Sequence, residues 1–340
     1  MNSRILSSVA LVSGLLLLSG CAASAATPDA TPTATDTAPG IPTELYVVPD
    51  TANSTALDRD AHAITTIGID GVVLSAGGDH VSKLPGNAAA LVTAAHARGL
   101  TAELLVSNYD TATDDFSAKI ATALLANPDH RNTVITELVA LVTAAGFDGV
   151  QIDLESLSPD HSAGLVAFTT QLHDSLGAPR SVSLAVMAES SPSRYRNAGY
   201  DFAQLTPILS RVVLMAYDQH GPSFSKPGPV GGLPWATTSL DALIAAGVPS
   251  AHIDLGVAGY GYSWPGNGTD GKQLSDDDSR TLAGDLAHWD ATEAEWTARL
   301  PDDTVVWWSD SRSLSERRTL ALSRNLHGLA VWELALTDPL

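Results

Sequence analysis

The sequence predicts a (β/α)8 barrel, a closed parallel sheet ringed by helices. Three observations carry the prediction. Short apolar, β-branched runs alternate with Ala/Leu-rich amphipathic stretches along most of the 340 residues, the rhythm of successive βα units. The runs are apolar on both faces, as strands are when helices cover the outside of a parallel sheet. Several helical stretches stop at a glycine just before the next run, at Gly99, Gly146 and Gly247, where a left-handed residue closes a helix.

Strands are expected at 44–48, 71–75, 102–107, 149–155, 181–186, 211–217, 253–259 and 328–334. Helices are expected at 87–98, 132–145, 163–176, 239–246 and 315–325. The competing doubly wound sheet would carry a glycine-rich phosphate loop after strand one. Pro49-Asp50-Thr51-Ala52 is no such loop. The segment 260–310 is longer than a barrel loop needs and reads as a small insertion after strand seven, with an extra strand at 305–308. Its run Asp276-Asp277-Asp278 lacks the ligand spacing of a calcium loop. It reads as the acidic approach to a helix opening at Ser279, favoured by the helix dipole.

Composition narrows the function. With 38 acidic and 18 basic side chains the formal net charge is −20, the wrong balance for nucleic acid, whose phosphates need clustered Lys and Arg. An apolar content of 44% is too high for a disordered chain. The single cysteine, Cys21, excludes an intramolecular disulfide framework and a multi-cysteine zinc site. The ten histidines are scattered, with no pair at ligand spacing beside a strand-end carboxylate, so neither metal nor cofactor is expected.

The N-terminus reads as an export signal. Arg4 precedes an apolar run at 9–18, the length of a signal-peptide core and too short to span a bilayer comfortably. The run ends Leu18-Ser19-Gly20-Cys21, which resembles a bacterial lipobox, with Cys21 as the acylated first residue of the mature protein. The alternative is a secretory signal cut after Ala25, in Ala23-Ser24-Ala25. The expected organisation is a signal peptide at 1–20, an Ala/Thr/Pro-rich tether at 21–42 and a barrel at 43–340 carrying the insertion. The protein is then expected outside the cytoplasm, lipid-anchored to the cell membrane, and monomeric.

The chemistry concentrates in strand four, Asp148-Gly149-Val150-Gln151-Ile152-Asp153-Leu154-Glu155. Side chains alternate along a strand, so Gln151, Asp153 and Glu155 share one face and Val150, Ile152 and Leu154 the other. The apolar face belongs against helices, which turns the polar face into the barrel. Two carboxylates a few ångströms apart cannot both ionise cheaply, so a proton is retained. A carboxylic acid protonated near neutral pH is what a leaving alcohol needs. Barrel enzymes carry their catalytic groups at the C-terminal ends of strands, where Glu155 stands. A lone strand-end glutamate would mean only solvent contact; three inward polar residues point to function.

This segment resembles the DGxDxDxE signature of glycoside hydrolase family 18, the chitinase-like (β/α)8 enzymes. Met215-Ala216-Tyr217-Asp218 resembles that family's strand-six motif, and Trp332 in Ala330-Val331-Trp332-Glu333-Leu334 its strand-eight tryptophan. The string Tyr217-Asp218-Gln219-His220, with Pro227-Gly228-Pro229-Val230 and Leu233-Pro234-Trp235, is similar to the spore-germination and cortex-lytic branch. So are Ser107-Asn108-Tyr109 and Gly259-Tyr260-Gly261-Tyr262. The resemblance covers essentially all of 43–340.

It implies a retaining hydrolase of β-linked glycans containing N-acetylglucosamine, with peptidoglycan or its fragments favoured over chitin. Glu155 would be the general acid, Asp153 would hold the substrate's acetamido group, and the acetamido oxygen would attack the anomeric carbon. Tyr217 would bond the acetamido carbonyl and Trp332 would stack under the pyranose. Asp218, Gln151, Met215 and Asn108 would complete the substrate-binding set, Met215 by packing beneath the site. Asp218 has the wrong strand parity and needs a strand end or twist to approach. Gln151 stands where the signature has an acid. An amide can donate to Asp153 but cannot take its proton, so a changed pH profile is expected. The alternatives are a chitinase acting on chitin oligosaccharides, a non-catalytic surface glycan-binding barrel, and a metal-dependent barrel enzyme of unrelated chemistry.

Overall fold

The computed structural model describes residues 40–49, 54–266 and 271–340. The signal segment, Cys21 and the tether up to residue 39 lie outside the described residues. Eight parallel strands close a barrel: β1 (Thr43–Val47), β2 (Thr66–Val73), β3 (Thr101–Ser107), β4 (Gly149–Asp153), β5 (Ser181–Met187), β6 (Arg211–Met215), β7 (Ile253–Ala258) and β8 (Gly328–Trp332). Each pairs with its chain neighbours, and β8 closes on β1 with Leu45 beside Val331. The (β/α)8 expectation holds, with the insertion between β7 and β8.

Most elements fall near their expected places, and the exceptions have local causes. β2 begins at Thr66, five residues before the expected start. Gly68, Asp70 and Gly71 break the apolar pattern there. Gly68 leaves room for its neighbours, since a Cβ would lie 2.6 Å from both the Tyr46 ring and the Glu44 carboxylate. The helix Pro128–Ala145 starts four residues early. Asn127 caps it by accepting from the Asp129 amide at 2.9 Å, and Pro128 suits a first turn that needs no donor. Gly146 ends it at φ 81°, as the glycine signal implied. The helix Ala118–Ala126, capped by Ser117, was not anticipated.

The insertion is a five-stranded antiparallel sheet, ordered Lys272–Leu274, Gly261–Trp264, Val305–Trp308, Glu295–Arg299 and His288–Asp290. Its core packs Trp308 and Val306 against Ala283 and Ala298. Ala283 comes from the helix Asp276–Ala283. That helix opens three residues before Ser279, with Ser275 as cap and the three aspartates inside its first turn, where their charge meets the positive end of the dipole. Glu295 ties the sheet to the barrel. Its buried carboxylate accepts from the Val230 and Gly231 amides at 2.7 and 2.8 Å, and Arg317 donates to it at 3.3 Å and to the Gly231 carbonyl at 2.6 Å.

The N-terminal half of the barrel interior is charged. Arg211 of β6 donates to Glu103 of β3 at 2.8 and 2.9 Å and to Glu44 of β1 at 3.0 Å. Its Nε lies 2.8 Å from Asp254 of β7. Burial alone would raise Glu103, but Arg211, Ser181 and Ser183 outweigh it and hold that carboxyl low. Burial wins at Glu44, pushed up to about 7 despite Arg211. Arg211→Met leaves three buried carboxylates without their cation. We expect it to cost about 3–5 kcal/mol of stability, the usual penalty for orphaning a buried charge, read by urea denaturation at pH 7.

Candidate active site

β4 and β6 stop short of two of the candidate site residues. β4 ends at Asp153, two residues before Glu155, and β6 ends at Met215, two before Tyr217. These side chains therefore sit on the first residues of the βα loops, at the C-terminal mouth of the barrel. Asn108, just after β3, fixes Glu155 by its backbone. The asparagine Oδ1 accepts from the Glu155 amide at 2.9 Å, and its Nδ2 donates to the Glu155 carbonyl at 3.0 Å. A further bond from Nδ2 to the Ser117 carbonyl, also 3.0 Å, completes the clasp. Asn108 is 0% exposed. The expectation that it binds substrate is corrected: its amide is consumed in positioning Glu155.

Gln151 is corrected in the same way. It is 0% exposed. Its Oε1 accepts from the Tyr46 hydroxyl at 2.6 Å, and its Nε2 donates to Glu44 at 3.1 Å and Ser183 at 3.2 Å. The amide thus joins the charged base of the barrel and makes no bond to Asp153. Met215, the last residue of β6, is 7% exposed.

Tyr217 and Asp218 lie past the end of β6, so strand parity no longer governs them. Asp218 adopts a left-handed backbone at φ 56°, and its Oδ1 accepts from the Tyr260 and Tyr262 hydroxyls at 2.6 and 2.9 Å. Tyr217 meets Tyr260 edge-on at 6.5 Å. Gly256 of β7 makes room for it, since a Cβ there would lie 3.0 Å from the Tyr217 ring and 2.4 Å from the Leu214 carbonyl oxygen. Trp332 ends β8, across the barrel from β4. Its half-buried ring lies 5.2 Å from that of Tyr46 and packs against two clusters, one holding Leu105, Val213 and Ala330 and the other Tyr217, Ala258 and Tyr260.

Electrostatically the mouth is the reverse of the base. Asp70, Asp153, Glu155 and Asp218 form no ion pair among the described residues. Burial pushes Glu155 up to about 9, helped by the charges of Asp153 and Asp218. Burial and then the charge of Asp70 push Asp153 up to about 7. The Asp153 Oδ1 is sealed from solvent and accepts no hydrogen bond among the described residues. Asp70 and Tyr46 were missed by sequence reasoning. The signal was present for both, a polar group on an inward position of an otherwise apolar strand. Among the described residues no group of three His, Cys, Asp or Glu is arranged to hold a metal ion.

An acid kept protonated by burial and like charges, facing an aromatic platform across the mouth of a closed barrel, equips a protein to cleave a sugar from a leaving alcohol. This is the equipment of a glycosidase. Comparison with known sequences places it further: the chain belongs to the glycosyl hydrolases family 18, whose sequence pattern matches residues 95–336. It is 29% identical over 272 residues to YdhD of Bacillus subtilis, provisionally assigned as a sporulation-specific glycosylase, covering 76% of this chain and 63% of that protein. It is 23% identical over 255 residues to the cortical fragment-lytic enzyme of Bacillus anthracis, covering 69% of this chain and 57% of that enzyme. The chain therefore spans less than two thirds of either relative. The crystal structure of a chitinase from Chromobacterium violaceum superposes with a TM-score of 0.77 at 25% identity, over 88% of this chain and 96% of that one.

Two outcomes follow from the Glu155 environment. A general acid works only while protonated, so with Glu155 in that role kcat/KM should fall as pH rises past about 9, and Glu155→Gln should lose about 10²–10⁴-fold in rate. The second concerns stability. Glu155 in the folded state holds a proton that the unfolded chain releases at its ordinary value of 4.5. Unfolding thus becomes easier as pH rises from about 4.5 toward 9. Gln at 155 carries no such cost. Melting curves should show Glu155→Gln more stable than wild type at pH 8, by roughly 2–4 °C for each kcal/mol regained, with the difference vanishing below pH 4.

Proposed function

We propose that the protein is a retaining hydrolase of β-linked glycans containing N-acetylglucosamine, working through the substrate's own acetamido group. The observation that carries this reading is the pairing of a protonated Glu155 with an Asp153 whose buried Oδ1 has no donor from the described residues. Glu155 gives its proton to the glycosidic oxygen as that bond breaks. The acetamido oxygen attacks the anomeric carbon from the opposite side, and positive charge spreads onto the ring so formed. Asp153 accepts the acetamido N–H and stabilises that charge. Tyr217 donates to the acetamido oxygen and Trp332 carries the apolar face of the sugar. Glu155, now a carboxylate, takes a proton from the water that opens the ring, and the two inversions leave the configuration retained.

The substrate we favour is peptidoglycan or its fragments. Support comes from the loop strings after β3, β6 and β7 and from relatives named for sporulation and for cortical fragments. A second reading, chitin oligosaccharides, is favoured by a different observation. Among the described residues the carboxyls at the mouth have no ion-paired cation, and those that ionise would repel the lactyl carboxylate of a muramic acid residue bound beside them. Incubating the protein with insoluble peptidoglycan and with chitin oligosaccharides, and reading products by mass spectrometry, separates the two. Release from peptidoglycan alone, lost in Glu155→Gln, supports the first. Release from chitin oligosaccharides alone moves the protein to the second, and binding without turnover in either would mark a barrel that only holds glycan.

We also propose that the enzyme works at the cell surface, held by a lipid on Cys21. Buried acyl chains, at about 0.8 kcal/mol per CH₂, would supply the anchor, and the Ala/Thr/Pro-rich segment would give the barrel reach. Labelled palmitate should be incorporated into the wild-type protein in bacteria and not into Cys21→Ser. Equal labelling of both would sink the anchor.

A further inference from the structure

Asp70 has no role in the scheme above, yet it occupies a place where an unused carboxyl is costly. It lies in β2 level with Leu105 of β3, which is level with Gln151 of β4. Leu105 and Gln151 both face the barrel interior, packed with Tyr46 or bonded to it, and the register puts Asp70 on the same inward side. The β2–β3 register then slips between Asp70 and Val72, a bulge of the kind that re-aims side chains beside active sites. Gly71 permits it: a Cβ there would fall 2.2 Å from a methyl of Leu104. Asp70 makes no hydrogen bond or ion pair among the described residues, and burial raises its carboxyl. The same is true of its neighbour Asp153, whose Oδ1 is sealed and unpartnered. Gln151, the residue that should serve Asp153, is committed to Tyr46, Glu44 and Ser183.

We propose that Asp70 and Asp153 act as one pair holding a single proton, with Asp70 as the positioning residue that lets Asp153 ionise when substrate arrives. The inference rests on the reading that Asp153 receives the acetamido N–H. In the free enzyme the proton sits between the two carboxyls. When the N–H docks, the proton passes to an Asp70 oxygen and Asp153 is left as the carboxylate that accepts the N–H. The move reverses when product leaves, and no covalent bond to carbon changes. Two like charges in a poorly solvated site cannot both ionise without large cost, which is why one proton stays.

The surroundings bear on how the pair titrates. The charge of Asp153 acts on Glu155, as do those of Asp218 and Asp115, and the charge of Asp70 acts on Glu333 after β8. None of these brings a positive charge. The phenols of Tyr46, Tyr217 and Tyr200 feel Asp153 and that of Tyr109 feels Asp70; all four are raised above their ordinary value and stay protonated through the working range.

The test is the pH profile of kcat/KM for the full chain acting on a soluble N-acetylglucosamine oligosaccharide. Asp70→Asn takes away the carboxyl that receives the Asp153 proton and whose O–H then supports the ionised Asp153, so the acid limb should move up by about one pH unit, at the low end of shifts caused by a hydrogen-bonding neighbour. The alkaline limb set by Glu155 should not move. Asp70→Glu should keep the wild-type limb, and Asp70→Asn placed on Asp153→Asn should add no shift. An acid limb that stays where it was in an active Asp70→Asn enzyme overturns the proposal. Should that variant not fold, ¹³C NMR of the aspartate carboxyls in Asp153→Asn decides instead. The Asp70 midpoint should fall relative to wild type, and an unchanged midpoint rejects the pair. Wild-type protein that cleaves no glycan would sink the hydrolase reading, while the carboxyl titration would still settle the pair.

Discussion

Arg211 reaches across the base of the barrel to carboxylates on three other strands, and the layers above inherit the arrangement it imposes. Glu103, Glu44 and Asp254 come from β3, β1 and β7, so one guanidinium holds together strands on opposite walls. A planar fork of five donors suits that task where a lysine would not. The order is passed upward in steps. Glu44 accepts from Gln151, Gln151 accepts from Tyr46, and the Tyr46 ring packs against Trp332. The aromatic platform at the mouth thus stands on hydrogen bonds rooted in a buried ion cluster. A chain of buried polar groups is stabilising only when each member is satisfied.

The two ends of the barrel use the same residue types for opposite purposes. At the base, acidic groups are compensated by Arg211, and His327 lies 2.6 Å from Asp254. At the mouth, Asp70, Asp153, Glu155 and Asp218 are uncompensated. The first arrangement gives rigidity; the second keeps protons on acids that water would strip of them. A cation placed among the upper carboxyls would let Glu155 ionise and so spoil it as a proton donor. On the proposed mechanism the absence of ion pairs at the mouth, among the described residues, serves the proton donor. It costs stability that the base helps to supply.

Strand-level reasoning read the fold well, because each barrel strand is a short apolar run and each cap has a local signal. It failed at β2, where Gly68, Asp70 and Gly71 serve the interior and break the pattern. The parity argument brought Asp153 and Glu155 to the mouth, since both stay on or next to β4. Parity required a strand end or twist for Asp218 to approach, and β6 ends at Met215, after which a left-handed backbone redirects the chain. Residue type alone misassigned Asn108 and Gln151. An amide near a carbohydrate site suggests substrate, and only the fold reveals that one amide clasps a backbone and the other belongs to the base. Arg211 carried its signal openly, as a charge inside an apolar run, but its three partners lie far apart in sequence.

The bond between Glu295 and the amides of Val230 and Gly231 makes the insertion more than an ornament on the barrel rim. Those amides belong to the loop that leaves Tyr217 and Asp218, and Arg317 braces the same loop from the helix Ser311–Ser323. Tyr260 and Tyr262, which hold Asp218, stand at the root of the inserted sheet. The sheet is therefore no detachable cassette. A chimera built by trading insertions between relatives would inherit a loop at the barrel mouth with its moorings cut, unless the glutamate, the arginine and the two tyrosines travelled together as one inherited block.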